Sequence, residues 1–279
     1  MYYTQVQPTP ILKQFVQCHW VVRSDSRTLP ITDHGVIPGG YADIVFNVGD
    51  HVYVSESGRI FFDKARSFVA GPFDRFRRFR VEGKLEFLGV RFHLGSTPVF
   101  SHLSLGELRN QAIRLAAVCE DQRIRTEILS LELRIARVEE TAERIACVEQ
   151  FLMRFIQHWK EPDLVVARAL DLIEESKGQI SVKALSATLR ISARQLERKF
   201  TQHVGLSPKA FCRVKRFQQV KSLLENPRQP SWCDLAYSCG YYDQTHLIQE
   251  FRLFTGQTPA RYERVRPVGF FLYDNPPNC

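Results

Sequence analysis

The sequence predicts an α+β fold: a β-rich barrel or sandwich, then helices, then an all-α C-terminal domain with two helix-turn-helix units. Short β-branched and aromatic runs separated by Gly and Pro fill the first hundred residues. Apolar residues then recur at helical spacing. The last hundred residues contain an internal repeat. With 279 residues, 44% of them hydrophobic, the chain is long enough for about two domains with separate cores.

The first part, residues 1–103, is predicted to be the β domain. Apolar, β-branched or aromatic runs predict strands at 18–23, 42–47 and 85–92. Residues 51–54 and 59–62 flank a turn at 55–58, which predicts a hairpin. Several short strands of this kind are typical of a small barrel or sandwich.

Residues 104–161 are predicted to form a helical linker. The pattern favours helices from Glu107 to Val118 and from Val138 to Trp159, which pack on the β domain or pair two chains. Glu161-Pro162-Asp163 predicts the domain boundary, because proline ends one helix and suits the start of the next. We place an all-α domain at 162–266 and a tail at 267–279.

The internal repeat predicts the two helix-turn-helix units, at 182–204 and 232–256. The second copy follows the first by 51 residues and keeps its spacing: Leu196, Phe200, Gly205, Pro208 and Phe211 become Leu247, Phe251, Gly256, Pro259 and Tyr262. Ser192 and Asp243 are predicted N-caps of the second helices, and Gly205 and Gly256 are predicted to end them. The Leu and Phe anchors then face the core.

The opposite faces of these second helices carry residue types that read base edges in the major groove. Arg suits guanine, Gln suits adenine, and Thr can contact a base or the thymine methyl group. Thr201 and Glu250 are also predicted to face outward. The candidate base contacts are Arg194, Gln195, Glu197, Arg198, Gln244, Thr245, His246 and Gln249. Ordinary solvated helix residues are the alternative for one copy; two copies in a basic segment favour DNA.

The positive charge of the chain is concentrated in the same segment. Residues 181–266 hold 15 of the 38 Lys and Arg residues but only 6 of the 30 Asp and Glu residues. A helix from Lys209 to Leu224, about 24 Å long, is predicted to join the units, so that both second helices reach successive major grooves about 34 Å apart. The candidate phosphate contacts are Lys199, Lys209, Arg213, Lys215, Arg216 and Arg252.

The C-terminal third closely resembles the DNA-binding domain of the AraC/XylS family of bacterial transcription regulators. The resemblance rests on the run from Gly240 to Pro259, on Leu185-Ser186-Ala187 and on the run from Arg194 to Phe200. It implies seven helices and a sequence-specific, DNA-binding transcription regulator. It also implies base reading by Arg194, Glu197, Arg198, Thr245, His246 and Gln249. Gln249 and Leu253 depart from the family, which often has Arg at both positions.

The N-terminal part resembles, more faintly, the cupin-like sensor or dimerisation domains of the same family. The matching runs are 38–47, 70–72 and 89–93. They imply that this domain binds a small-molecule effector or pairs two chains. The partners we expect are therefore double-stranded DNA, a small effector, a second copy of the chain and RNA polymerase, with no cofactor and no membrane. We expect a bacterial cytoplasmic protein that lies on the nucleoid when bound.

Other classes are less favoured by the sequence. The start resembles no signal peptide, and no apolar run approaches the roughly 20 residues of a membrane span. The seven cysteines are scattered, which favours reduced thiols over disulfides or zinc. A metalloenzyme would need clustered ligands, but His34, His51, His93 and His102 are spread out. A protein-interaction module that no longer binds DNA is the third alternative, and the basic segment argues against it.

Overall fold

The structure is a computed structural model that describes residues 2–24, 31–50, 52–54, 60–62, 66–96, 103–156, 159, 163–224 and 231–265. Two antiparallel sheets make up the N-terminal half. Their strands are β1 (Tyr2–Val6), β2 (Val16–Ser24), β3 (Ile31–Val36), β4 (Asp43–Asn47), β5 (Val52–Val54), β6 (Ile60–Phe62), β7 (Arg66–Ala70), β8 (Arg77–Glu82), β9 (Leu85–Phe92) and β10 (Ala112–Arg114). One sheet has the order β1-β2-β9-β4-β7-β10 and the other β3-β8-β5-β6. The predicted strands and the 51–62 hairpin pairing are therefore present, whereas the hairpin turn lies outside the described residues.

The two sheets pack face to face as a sandwich. An aromatic cluster fills the space between them, with the Phe79 and Phe87 rings 6.0 Å apart. All eight residues of β9 are buried, because helices cover the other face of its sheet. A buried ion pair joins β4 to β9, since Arg91 Nη2 lies 3.1 Å from Asp43 Oδ2. No ladder among the described strands joins the two sheets, so they do not form a closed barrel.

Four helices of the N-terminal half cover the larger sheet or lead to it: α1 (Leu105–Leu108), α2 (Leu115–Val118), α3 (Gln122–Arg137) and α4 (Thr141–Arg154). The predicted helix from Glu107 to Val118 is wrong. Asn110 has a positive φ of 59°, which ends the helical path, and the next residues form β10 on the edge of the sheet beside β7. The predicted helix from Val138 to Trp159 is shorter in the structure, and α3 was missed.

The C-terminal half is all helical. Its helices are α5 (Leu164–Glu175), α6 (Val182–Leu189), α7 (Ala193–Val204), α8 (Pro208–Leu224), α9 (Trp232–Ser238), α10 (Gln244–Thr255) and α11 (Pro259–Val265). They share one core, and Ile37 from the N-terminal half packs into it. Glu161, Pro162 and the predicted tail lie outside the described residues, so the boundary stays a prediction. None of the helices described is both long and apolar enough to cross a bilayer.

Candidate nucleic-acid interface

The first helix-turn-helix unit consists of α6 and α7. Ser192 begins α7, because its hydroxyl accepts the backbone N–H of Gln195 at 3.2 Å and so satisfies a donor without a partner in the helix. One face of α7 is anchored in the core by Leu196, Phe200 and Val204. The Phe200 ring lies 5.6 Å from that of Phe211 on α8. This anchoring turns the other face of α7 toward solvent.

The exposed face of α7 carries the predicted candidates. Arg194, Glu197 and Arg198 are all exposed. Gln195 is exposed as well, but its side-chain oxygen lies 3.0 Å from both the backbone N–H and the hydroxyl of Ser192, and accepts from them. The capping box therefore occupies this oxygen and leaves only the amide NH₂ for another partner. Thr201, predicted to face outward, is half-buried.

The second unit repeats this arrangement with α9 and α10. Asp243 begins α10, since its carboxylate accepts the backbone N–H of His246 at 2.7 Å. Leu247, Phe251 and Phe254 are buried. The Phe217 ring of α8 packs against those of Phe251 and Phe254, at 5.4 and 5.0 Å. Both second helices are thus anchored to α8, which joins the units.

The exposed face of α10 carries Gln244, Thr245 and Gln249, with Arg252 exposed one turn further along. His246 is only half-buried, since 41% of its side chain is exposed. Its ring makes an edge contact with Tyr241, with centroids 5.3 Å apart. The structure therefore presents four of the predicted base contacts on one helix face.

Glu250 does not face outward as predicted. It is 5% exposed, and its Oε1 lies 2.5 Å from Arg213 Nε, 3.7 Å from Arg216 Nη2 and 3.6 Å from His246 Nε2. The neighbouring Tyr241 hydroxyl stays neutral, because burial and the nearby Glu250 carboxylate raise its pKa. Glu250 therefore links α10 to α8 inside the second unit.

Two predicted phosphate contacts on α8 are not available to a phosphate in this structure. Lys215 is 8% exposed, its ammonium lies 2.5 Å from Glu174 Oε2, and it sits over the Phe211 ring. The Arg216 side chain is 17% exposed and lies over the Tyr241 ring. Both cations therefore stabilise contacts between helices. Of the other α8 candidates, Lys209 is exposed, and Arg213 is partly exposed beside Glu250.

Lys199 on α7 is half-buried and forms an ion pair with Asp163, the residue that caps α5. Burial would raise the pKa of Asp163, but hydrogen bonds from Lys199 and from the backbone N–H groups of Val165 and Val166 outweigh it, so the pKa is lowered. Lys199 thus holds α7 against α5, with a third of its side chain still exposed.

Two family models match the chain. Residues 185–264 match a "Helix-turn-helix domain" model, which covers all of the second unit and the first unit apart from the start of α6. This segment is similar to the helix-turn-helix domains of AraC/XylS-type regulators. Residues 4–114, which include the ten described strands apart from the first two residues of β1, match a "Domain of unknown function (DUF6597)" model.

Curated relatives match the chain over limited stretches. The chain is 33% identical over 103 residues to the probable bifunctional transcriptional activator/DNA repair enzyme AlkA of Mycobacterium tuberculosis, covering 37% of the chain and 21% of AlkA. It is 30% identical over 87 residues to the transcriptional activator RhaS of Escherichia fergusonii, covering 31% of each protein. The chain thus spans a third or less of these relatives.

Among solved structures, ToxT from Vibrio cholerae matches 95% of the chain and 98% of its own length. The sequence identity is 8% and the TM-score 0.48. A TM-score of this size does not establish a shared fold.

The C-terminal ends of both second helices touch the N-terminal half. Gly205 and Gly256 end α7 and α10 with φ values of 80° and 72°, a conformation that favours glycine. A methyl group on Gly205 would lie 2.4 Å from Pro72 Cγ, and one on Gly256 would lie 2.9 Å from the Phe76 ring. The backbone N–H of Phe76 also donates to the Leu253 carbonyl at 3.0 Å. One short segment, Pro72–Phe76, therefore contacts both helix ends.

Sequence reasoning missed two exposed aromatic residues in the second unit. Tyr237 on α9 is 86% exposed and Tyr242, beside the Asp243 cap, is 92% exposed. A phenol offers both an apolar ring and a hydrogen-bonding hydroxyl at a polar surface. The repeat itself offers a signal for Tyr242. The corresponding residue directly before the cap of α7 is the apolar Ile191, so the second unit has an aromatic residue where the first has an aliphatic one.

The residues considered for a metalloenzyme do not form a cluster where the structure describes them. His93 Nε2 lies 2.9 Å from the Lys13 carbonyl oxygen, a hydrogen bond that accounts for this side chain. The side chain of His34 and all of His51 and His102 lie outside the described residues. Within the described part, no three His, Cys, Asp or Glu side chains are placed to hold a metal ion.

Proposed function

We propose that the chain is a sequence-specific transcription regulator that binds double-stranded DNA through α7 and α10. The observation that carries the proposal is that two capped helices, anchored to a common core, both present polar side chains to solvent. They lie in the segment that holds the positive charge excess. A helix exposed in this way fits the major groove, where polar side chains read bases.

Within this proposal the side chains divide by role. Arg198 on α7 and Gln249 on α10 occupy equivalent positions, where Arg suits guanine and Gln suits adenine. The cations hold phosphates, which sets the register of the protein on DNA without reading sequence. The base contacts are Arg194, Glu197, Arg198, Gln244, Thr245, His246 and Gln249, with the amide NH₂ of Gln195. The phosphate contacts are Lys209 and Arg252, with Lys199 and Arg213 through their exposed parts.

The N-terminal half takes the regulatory role in this proposal. What supports a dimer contact is the exposure of Leu129 and Leu133, four residues apart on α3, and of Met153 on α4. What supports an effector site is only the resemblance of the β domain to sensor domains. Cytoplasmic location and contact with RNA polymerase follow from the role as a regulator. Sedimentation of the chain at several concentrations tests the dimer, and thermal shift against a metabolite library tests the effector.

Selection from a random duplex library tests DNA recognition. We expect enrichment of a bipartite site, and we expect affinity for that site to fall steeply with salt, because each neutralised phosphate adds about 0.9 to the logarithmic slope. Arg252→Ala should reduce this slope by about one. Arg134→Ala, the same loss of charge on α3, should leave it unchanged. A chain that enriches no duplex over random competitor, with and without candidate effectors, refutes the proposal.

A further inference from the structure

The imidazole of His246 lies between the exposed face of α10 and a buried carboxylate. Its Nε2 faces Glu250 Oε1 at 3.6 Å, and 41% of its side chain is exposed. Glu250 belongs to the same helix, one turn further along. His246, a predicted base-contacting residue, therefore has one of its two ring nitrogens next to a carboxylate that is almost inaccessible to solvent.

We propose that Glu250 is a positioning residue for base recognition: its carboxylate keeps the His246 proton on Nε2, so that Nδ1 meets DNA as a hydrogen-bond acceptor. This inference rests on the proposed function. Glu250 itself is 5% exposed and does not reach DNA; it acts through His246.

The chemistry follows from the donor and acceptor roles of imidazole. In a neutral imidazole one nitrogen donates and the other accepts, and a neighbouring group decides which. An ionised carboxylate only accepts, so it favours the tautomer with its proton on the facing nitrogen, Nε2. Nδ1 is then an acceptor. In the major groove an acceptor pairs with the amino group of adenine or cytosine and not with the carbonyl oxygens of guanine or thymine.

The surroundings hold the Glu250 carboxylate in place. Arg213 Nε donates to Oε1 at 2.5 Å, and Arg216 lies 3.7 Å from the same oxygen. The His246 ring contacts the Tyr241 ring, in the turn before α10, nearly at right angles, and its Nε2 faces Glu250 on α10. The ring is therefore contacted from two sides, and the carboxylate it faces is held from α8.

The first unit has no such device. The residue equivalent to His246 is Gln195, whose oxygen is occupied by the Ser192 cap, and the residue equivalent to Glu250 is Lys199, which pairs with Asp163. Only the second unit therefore has a base-contacting histidine whose tautomer a buried carboxylate can set.

The substitution Glu250→Gln removes the negative charge that favours a proton on Nε2. Arg213 can only donate, so the amide oxygen of Gln stays on Arg213, and His246 Nε2 then faces that same oxygen without its charge. The tautomer with its proton on Nδ1 should therefore become more populated. We expect the preference for adenine or cytosine at one position of the α10 half-site to weaken by about tenfold.

Two measurements test this on the full chain. Long-range ¹H–¹⁵N spectra of histidine-labelled protein report the tautomer directly, and we expect Nε2–H in the wild type and a larger share of Nδ1–H in Glu250→Gln. Duplex selection then compares wild type, Glu250→Gln, His246→Ala and the double variant. We expect the double variant to select the same sites as His246→Ala, because Glu250 acts only through that ring. Glu174→Gln is the control: it makes the same charge change on α5 and should leave every base preference intact.

The results separate this inference from the proposed function. A wild-type His246 with its proton on Nδ1, or a Glu250→Gln variant that selects the wild-type site while His246→Ala does not, overturns the role of Glu250. Failure of the wild type to select any duplex refutes the proposed function instead, and the tautomer measured by NMR still decides whether Glu250 sets the state of His246.

Discussion

The two helix-turn-helix units place opposite charges at one equivalent position. Lys199 on α7 and Glu250 on α10 lie 51 residues apart, as do the core anchors Leu196 and Leu247. Each ties its helix to the helix that precedes its unit: Lys199 reaches Asp163 at the start of α5, and Glu250 reaches Arg213 on α8. Both units thus have an ion pair between their second helix and the helix that precedes the unit. The second helix supplies the cation in the first unit and the anion in the second.

The difference lies in how deeply each pair is buried. The Lys199 and Asp163 side chains are 34% and 19% exposed, whereas Glu250 is 6% exposed and serves two guanidinium groups. A solvated ion pair contributes little to the free energy of unfolding. A buried carboxylate without a cation is destabilising, and so are buried cations that have lost their carboxylate. Equivalent positions in a repeat therefore need not contribute equally to stability.

The largest effect should come from the core anchors, in which the units are alike. Phe200→Ala and Phe251→Ala each remove a fully buried ring, and each should lower the free energy of unfolding by about 3–5 kcal/mol. Chemical denaturation of the full chain measures both. Costs that differ by more than about 2 kcal/mol would show that the two anchors are not equivalent.

Loss of the ion pair should destabilise the two units by different amounts. Glu250→Leu leaves Arg213 and Arg216, both partly buried, without their carboxylate, and should cost about 2 kcal/mol. Lys199→Met leaves an Asp163 that still accepts two backbone N–H groups, and should cost less than about 1 kcal/mol. The same denaturation experiment compares them. Equal costs would contradict the assignment of the buried pair to the second unit only.

Substitutions of the proposed base contacts should affect the two exposed helix faces to different degrees. Arg198→Ala should reduce discrimination at one position of the α7 half-site about tenfold, since an Arg–guanine pair carries about 1–3 kcal/mol. Gln249→Ala, at the equivalent position of α10, should have a smaller effect, because Gln lacks the charge of Arg. Competition binding with single-base variants of the selected site measures both. A uniform loss on all sequences would instead identify Arg198 as a phosphate contact.

The smallest effect should be a dependence on pH confined to the first unit. The pKa of Asp163 is lowered in the folded chain, so its ion pair contributes stability above the ordinary carboxylate pKa of about 3.9. This contribution is lost as the pH falls through the lowered value. Asp163→Asn should therefore flatten the acid limb of the stability curve by less than about 1 kcal/mol. An unchanged acid limb would show that the pair contributes nothing measurable.

Local sequence signals predicted the elements that depend on local contacts. Ser192, Asp243, Gly205 and Gly256 predicted the ends of α7 and α10, because caps satisfy backbone groups within a few residues. α3 was also within reach of such reasoning, since Asp121 caps it and Ile124, Ile128, Leu131 and Ile135 recur at helical spacing.

Distant contacts explain what the sequence did not reveal. β10 exists because it pairs with β7, more than forty residues away. Lys215 looks like a free cation in sequence, but Glu174 on another helix pairs with it. Glu250 looks exposed by its residue type, and only its position against α8 explains its burial. Side-chain pairing across elements, rather than helix position, decided which candidates reach solvent.

The contact of Pro72 and Phe76 with the ends of α7 and α10 has a consequence for the spacing of a binding site. Four residue steps of fully extended backbone span at most about 14 Å, so this stretch of the β domain limits how far apart the two helix termini can move while both contacts persist. Under the proposed function, the half-site separation that the chain accepts is thereby set in part outside α7 and α10. Lengthening this stretch should widen the range of half-site separations that the chain accepts, without changing any side chain proposed to contact a base.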